Sequence, residues 1–327
     1  MVLRFGVLGA AAVARRRMLP ALLAAPGVVA VAVASRDAAK AERLGDEFGV
    51  LPVKGYQALL DRDDVDAVYV ALPNGLHAEW VEAALAAGKH VLCEKAFVPD
   101  HMMAERLVAQ ARAAGLLLVE NMMFLHHRQH AAVLAMVAAG VVGEPRVFSS
   151  AFGVPPRPEG DIRYVPELGG GALLDVGVYP IRAAQLFLGP DLTVAGSVLR
   201  HDPRYGVDVA GSALMSTSDG VTAELSFGFE HGFHSMYAVW GSQGKLCVHR
   251  PFASGEDVVP LVRIEDDDGV REVSLSPDRQ FVNSVAAFAA TVLTSGDFYA
   301  AGEDILRQAA LVTAVRTGAV SVPRGDP

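Results

Sequence analysis

Continuous apolar runs alternate with amphipathic segments along the first third of the chain, in a strand-then-helix rhythm. Val2–Leu8, Val28–Ala34, Ala67–Leu72, His90–Cys93 and Leu116–Val119 predict buried strands. Between them, helical periodicity predicts helices at Ala38–Phe48, His77–Ala87 and His101–Ala114. Apolar strands separated by helices imply a parallel sheet covered on both faces. Beyond residue 145 the pattern changes to alternating segments without helices between them: Val194–His201, Ala210–Ser216, Thr222–Phe229, Ser235–Trp240, Lys245–His249, Leu261–Glu265 and Glu272–Leu275. That succession predicts a large, mostly antiparallel sheet. Helices near Gln280–Leu293 and Glu303–Thr317 close the chain. The expected division is residues 1–122 and residues 123–327.

The first turn carries the chemistry expected of such a parallel sheet. Gly9-Ala10-Ala11-Ala12-Val13-Ala14 follows the first strand into a helix. A dinucleotide loop needs glycine for its tight turn, glycine for close approach to pyrophosphate, and a small residue for helix packing. Ala11 and Ala14 stand at the second and third places, so the match is partial; the plainer reading is an ordinary strand–helix turn. The second strand at the spacing of a βαβ unit favours the loop, and hence an α/β class with an N-terminal Rossmann domain. That strand ends Ser35-Arg36. A carboxylate there would bond the 2′-hydroxyl of NAD, whereas arginine accommodates the 2′-phosphate of NADP. NADP is the expected cofactor, against the plainer reading of a surface arginine at a helix start.

A second cluster lies at Gly169-Gly170-Gly171-Ala172-Leu173-Leu174-Asp175-Val176-Gly177-Val178-Tyr179-Pro180. Asp175 and Tyr179, at i and i+4, share one helix face, in the mouth of a helix opened by glycines. A phenol there can donate a proton to a carbonyl oxygen. Ligands of open parallel sheets bind beyond the carboxyl ends of the strands, where Leu72–His77 and Cys93–Ala96 fall. Lys95 can orient a substrate oxygen there; an exposed loop lysine paired with Glu94 is the plainer reading. His77 can simply cap a helix.

Composition narrows the partners. The formal charge is −9, and the one basic run is Arg15-Arg16-Arg17, so nucleic acid is not an expected partner. Cys93 and Cys247 form no disulfide framework and suit a reducing cytoplasm; the first strand leaves no room for a signal peptide. The uncharged run Met18–Ser35 is broken by Pro20, Pro26 and Gly27, so no membrane span is expected. His126, His127 and His130 lack a third metal ligand; a pocket or helix-cap role is favoured, and no metal is expected. Cys93, at a buried strand end, reads as inert.

Together these residues resemble the glucose–fructose oxidoreductase and inositol dehydrogenase (Gfo/Idh/MocA) family over nearly the whole chain. Members carry a nucleotide loop at the start, Glu-Lys-Pro after the fifth strand and Gly-Gly-Gly…Asp-x-Gly in the second domain. Here these are Gly9–Ala14, Glu94-Lys95-Ala96 and Gly169–Gly177. Inositol-type members have histidine where Tyr179 stands, and the tyrosine resembles the sugar-ketone reductase and dihydrodiol dehydrogenase branch. Within it, Glu120–His127, Gly160–Tyr164 and Tyr179–Ala184 are similar to NDP-hexose 3-ketoreductases of the deoxysugar pathways that serve antibiotics.

The resemblance implies Lys95 and Tyr179 as the catalytic pair. It implies cofactor contacts from Gly9, Ala10, Ala11, Ala12, Val13, Ser35, Arg36, Tyr56, Leu72, Asn74, His77, Glu94, Arg163 and Asp175. Asn121, Arg182 and Tyr237 would join the catalytic pair at the substrate. Ala96 replaces a proline before which the family's bond is commonly cis; a non-proline cis bond costs about 2.5–4 kcal/mol, so either the cis bond is kept or Lys95 sits differently. Three functions compete. They are NADPH-dependent C-3 reduction of a nucleotide-linked (TDP) keto-deoxyhexose, oxidation of a free sugar or dihydrodiol by the same pair, and dinucleotide sensing without catalysis. Retention of Lys95 and Tyr179 argues against the sensor. Arg157, Arg163 and Arg182, near the glycine segment, suit a diphosphate that a free sugar lacks. The antiparallel sheet has too few helices to cover both faces, so a homodimer or homotetramer through it is expected.

Overall fold

A computed structural model describes residues 2–323 of the chain. It divides into two compact units. The first runs up to His126 and takes in Gln280–Ala309; the second is His127–Arg279 with the chain from Ala310 onward.

The first unit holds six strands: β1 Leu3–Leu8, β2 Val28–Ser35, β3 Leu51–Lys54, β4 Ala67–Val70, β5 His90–Glu94 and β6 Leu118–Asn121. They lie in the order β3-β2-β1-β4-β5-β6, every neighbouring pair parallel. The chain reverses its winding beside β1, which leaves a crevice at the carboxyl ends of β1 and β4. Helices α1 Leu19–Ala24, α2 Ala38–Phe48, α3 Tyr56–Leu60, α4 His77–Ala86 and α5 His101–Ala114 connect the strands. Asp37 and Asp100 cap α2 and α5 with their side chains. Strand β3 has no apolar run to announce it: it is an edge strand, mostly exposed, and contains Pro52.

The second unit begins with α6 Arg128–Ala138, β7 Pro145–Gly153 and α7 Val178–Leu188. Strands β8 Thr193–Asp202, β9 Val207–Ser216, β10 Thr222–Gly228, β11 His234–Gly241, β12 Gly244–His249, β13 Leu261–Asp266 and β14 Gly269–Ser274 follow. The nine-stranded sheet, ordered β14-β13-β12-β11-β7-β10-β9-β8-β15, takes its last strand from Ala319–Pro323. Pairs β7–β10 and β8–β15 are parallel and the rest antiparallel, as expected for a mostly antiparallel sheet. Helix α7 packs on β7 and β10, so one face is core. By register, Val198, Leu214, Trp240, Val270 and Val320 share the opposite face and are exposed, Trp240 by 58%.

Helix α8 Gln280–Leu293 and the first part of α9 Phe298–Thr317 return to the first unit, correcting the expected single boundary at 122. Phe288 of α8 packs its ring 5.4 Å from Phe5 of β1. Asn283 donates to the carbonyl of His126 (3.0 Å), and Arg112 of α5 pairs with Glu303 of α9 (2.7 Å).

Candidate active site

After β1 the backbone turns at Gly9, whose φ of +110° and proximity to the Ala71 carbonyl leave no room for a Cβ. Its N–H donates to the Ala34 carbonyl at 2.9 Å, holding the turn against β2. A cavity of about 380 Å³ lies here, lined by Gly9, Ala10, Ala11, Ser35, Arg36, Tyr56 and Leu72, seven of the residues expected at a cofactor. Ala12 and Val13 lead into a π-helical turn, Ala14–Met18, and do not line it. Tyr56 is braced edge-on by Trp80 at 4.9 Å.

Arg36 is exposed at the end of β2, and Lys40, one turn into α2, lines the same cavity. Asp37 lies between them, with its carboxylate accepting the Lys40 N–H at 3.3 Å; Ser35 Oγ accepts the Asp37 N–H at 3.2 Å. The acid beside Arg36 is therefore turned to the helix start. Lys40 was not anticipated, although its place four residues after Arg36, in the first turn of a helix, was readable.

Lys95 follows β5 and is half-buried; the Lys95–Ala96 bond is cis. The Glu94 carboxylate is buried and accepts from the Tyr69 hydroxyl (2.5 Å) and the Asn121 amide (2.8 Å). Burial pushes its pKa up, against those two bonds. Asn121 Oδ1 accepts in turn from Ser284 of α8 at 2.8 Å. This corrects two expectations. The side chains of Glu94 and Asn121 are spent inside the first unit, not open to a cofactor or substrate.

His77 is corrected in the same way. It is fully buried, with both ring nitrogens at backbone carbonyls, and it makes no cap bond at α4. Burial pushes its pKa below the histidine range, against those carbonyls. Asn74 is half-buried in the short turn before α4. Burial also raises the Cys93 thiol, in keeping with an inert cysteine.

In the second unit the glycine segment does open a helix. The Asp175 N–H donates to the Gly171 carbonyl at 3.1 Å. The first turn, Leu173–Gly177, is π-helical and runs on into α7. Gly171, at φ +117°, has no space for a Cβ because the Asp208 carboxylate lies against it. Asp208, from β9, accepts the Leu173 N–H at 2.6 Å and so caps the helix. Burial raises its pKa, while the amides it accepts pull the other way.

Asp175 accepts from Arg163 Nε at 2.6 Å, and Arg163 also pairs with Asp161. Burial disfavours the Arg163 guanidinium, but the two carboxylates hold its pKa above the ordinary value. Tyr179, in the first turn of α7, is buried with Phe152 edge-on at 5.2 Å and Phe252 at 5.5 Å. Arg182, three residues on, is half-buried, and Arg157 is exposed.

Tyr237 is corrected as well. It is fully buried on the inner face of β11, its hydroxyl 3.0 Å from His130 Nδ1 and its ring against Phe148 and Phe187, a core residue and not a substrate contact. His127 caps α6, its Nδ1 accepting the Gln129 N–H at 3.1 Å. Among the described residues no group of three His, Cys, Asp or Glu is placed to hold a metal ion. No helix among them is long and apolar enough to cross a membrane.

Residues 3–122 match the oxidoreductase family with an NAD-binding Rossmann fold, and residues 130–247 match the GFO/IDH/MocA C-terminal domain. The chain belongs to the Gfo/Idh/MocA family. It is 53% identical over 317 residues to a dTDP-3,4-didehydro-2,6-dideoxy-alpha-D-glucose 3-reductase of Actinomadura kijaniata, covering 97% of this chain and 96% of that one. An enzyme of the same name from Streptomyces antibioticus is 52% identical, with 96% of each chain covered. A crystal structure of a 3-ketoreductase from Actinomadura kijaniata with NADP and TDP-benzene is similar at a TM-score of 0.97 and 52% identity, covering 99% of this chain and 100% of that one.

Within this Gfo/Idh/MocA chain, Lys95 belongs to the first unit and Tyr179 to the second. Asp208 is the residue that motif reading misses. It lies 35 positions from the amide it accepts, and only the sheet register brings it to the helix.

Proposed function

We propose that this chain is an NADPH-dependent reductase of the C-3 ketone of a dTDP-linked keto-deoxyhexose, acting in deoxysugar biosynthesis. The observation that carries this reading is identity above half, over nearly the full length, with reductases of that name. The cavity residues fit the phosphorylated cofactor: Arg36 and Lys40 offer two cations, and the Asp37 carboxylate, which also lines the cavity, is engaged in capping α2. Bound there, NADPH supplies the hydride that reduces the ketone carbon. Tyr179 gives its phenolic proton to the ketone oxygen, and Lys95 orients that oxygen, so negative charge does not build up unpaired.

The protein works in the cytoplasm, where Cys93 and Cys247 remain thiols. It assembles as a dimer or tetramer through the open face of the nine-stranded sheet, whose exposed apolar side chains support a self-complementary contact. A screen of dTDP-linked 3-keto sugars and free aldoses, following NADPH absorbance, tests the activity. The expected result is turnover of the nucleotide sugar. Turnover of free aldoses alone would replace this reading with that of a sugar dehydrogenase.

A further inference from the structure

The loop that carries Lys95 is held by side chains from outside it. Nδ1 of His77 lies 2.9 Å from the carbonyl oxygen of Ala96 and 3.0 Å from that of Phe97. Nε2 of the same ring lies 2.8 Å from the carbonyl oxygen of Leu72. The Phe97 N–H is taken by the Glu120 carboxylate at 2.8 Å. A neutral ring carries one N–H, so it donates either to the two carbonyls that follow Lys95 or to Leu72, which lines the cavity beyond β4, and not to both.

A packing role alone does not account for this. Burying a polar ring is costly unless its nitrogens find partners, and an alkyl side chain would fill the space without that cost. A capping role is ruled out, because both ring nitrogens face carbonyl oxygens and not the first amides of α4. What remains specific to histidine is a rigid ring whose Nδ1–H, in the tautomer that carries it, reaches both carbonyls after Lys95.

We infer that His77 is a positioning residue, its Nδ1–H fixing the backbone of the Lys95 loop against the start of α4 and so setting where the ammonium stands. The inference rests on the reading of Lys95 as a catalytic group. A misplacement of about 1 Å at such a group can cost on the order of 100-fold in rate, which gives the scale of effect to look for.

The test uses His77→Asn and His77→Gln in the full chain, with a dTDP-linked 3-keto sugar and NADPH. An asparagine amide reaches the Nδ1 position and so the Ala96 and Phe97 carbonyls; a glutamine amide reaches the Nε2 position and only Leu72. His77→Gln is expected to lower kcat about tenfold to 100-fold, with the KM for the sugar and the Kd for NADPH nearly unchanged. His77→Asn is expected to restore most of that loss. In a Lys95→Ala background, His77→Gln is expected to cost nothing further, because both changes act on one group.

Equal losses in the two variants, an unimpaired His77→Gln enzyme, or a further multiplicative loss on Lys95→Ala would each overturn the inference. If His77→Gln does not fold, as judged by circular dichroism, His77→Asn decides alone: near-normal kcat supports the inference and a tenfold loss overturns it. The two failures are distinct. A Lys95→Ala enzyme at full rate removes the catalytic reading of Lys95 and this inference with it. A slow Lys95→Ala enzyme beside unimpaired His77 variants overturns this inference alone.

Discussion

At Tyr179 the chemistry comes down to one hydroxyl on a ring already held by Phe152 and Phe252. Tyr179→Phe keeps both ring contacts and removes only the proton donor. Its kcat should fall about 10²–10⁴-fold, the usual scale of general acid catalysis, while fluorescence titration should find NADPH affinity unchanged. At the cofactor cavity, Arg36→Ala removes a charge-assisted contact worth about 1.5–3 kcal/mol, so NADPH should bind about tenfold to 100-fold more weakly. NADH affinity should not move, and Lys40 should keep part of the preference for NADPH. Equal affinities for the two cofactors in the unaltered protein would end the argument for a phosphate site. That Arg36 follows β2, Lys95 follows β5 and Tyr179 opens α7 was legible, because each sits at a fixed offset from a strand end or a glycine turn. Asn121 and Tyr237 were misread because offset says nothing about direction: one faces Glu94 and Ser284, the other His130.

Elements show the same division between local and distant causes. Helices α2, α5 and α8 begin and end where their apolar periodicity does, because caps and glycines are local. The central strand β7 escaped notice because Arg146, Ser149 and Ser150 interrupt its apolar run; its place in the sheet is set by neighbours far along the chain. Packing of α6 on β11 carries its own pH dependence. Burial pushes the His130 imidazole down to about 3, from an ordinary value of 6.5. Between those values the unfolded chain binds the proton and the folded chain does not. Stability present above pH 6.5 is therefore lost as pH falls towards 3. Urea midpoints measured across that range should decline, and a folded His130→Gln variant should decline less steeply.

For the molecule as a whole, the exposed apolar face of the nine-stranded sheet bears on assembly. Trp240 and Leu214 lie on that face, about half exposed, with Val198 and Val320 on neighbouring strands. Light scattering at micromolar concentration should give a dimer or tetramer, and Trp240→Glu with Leu214→Glu should shift it to monomer with the fold retained. A monomeric mass for the unaltered protein would remove the sheet face as an interface. The two-part architecture was legible from the change of rhythm near residue 145. The return of Gln280–Ala309 to the first unit was not, since helical periodicity shows that a face is apolar and not what it covers.

That return sets an order of events during synthesis. Domains tend to fold as they emerge, the N-terminal one first. Here Phe5 waits for Phe288, Asn121 for Ser284 and Arg112 for Glu303, so the first unit to leave the ribosome is among the last to be completed. Nascent chains arrested before Gln280 has emerged should be cut readily by protease within residues 2–126. Chains arrested after Ala309 has cleared the exit tunnel should resist.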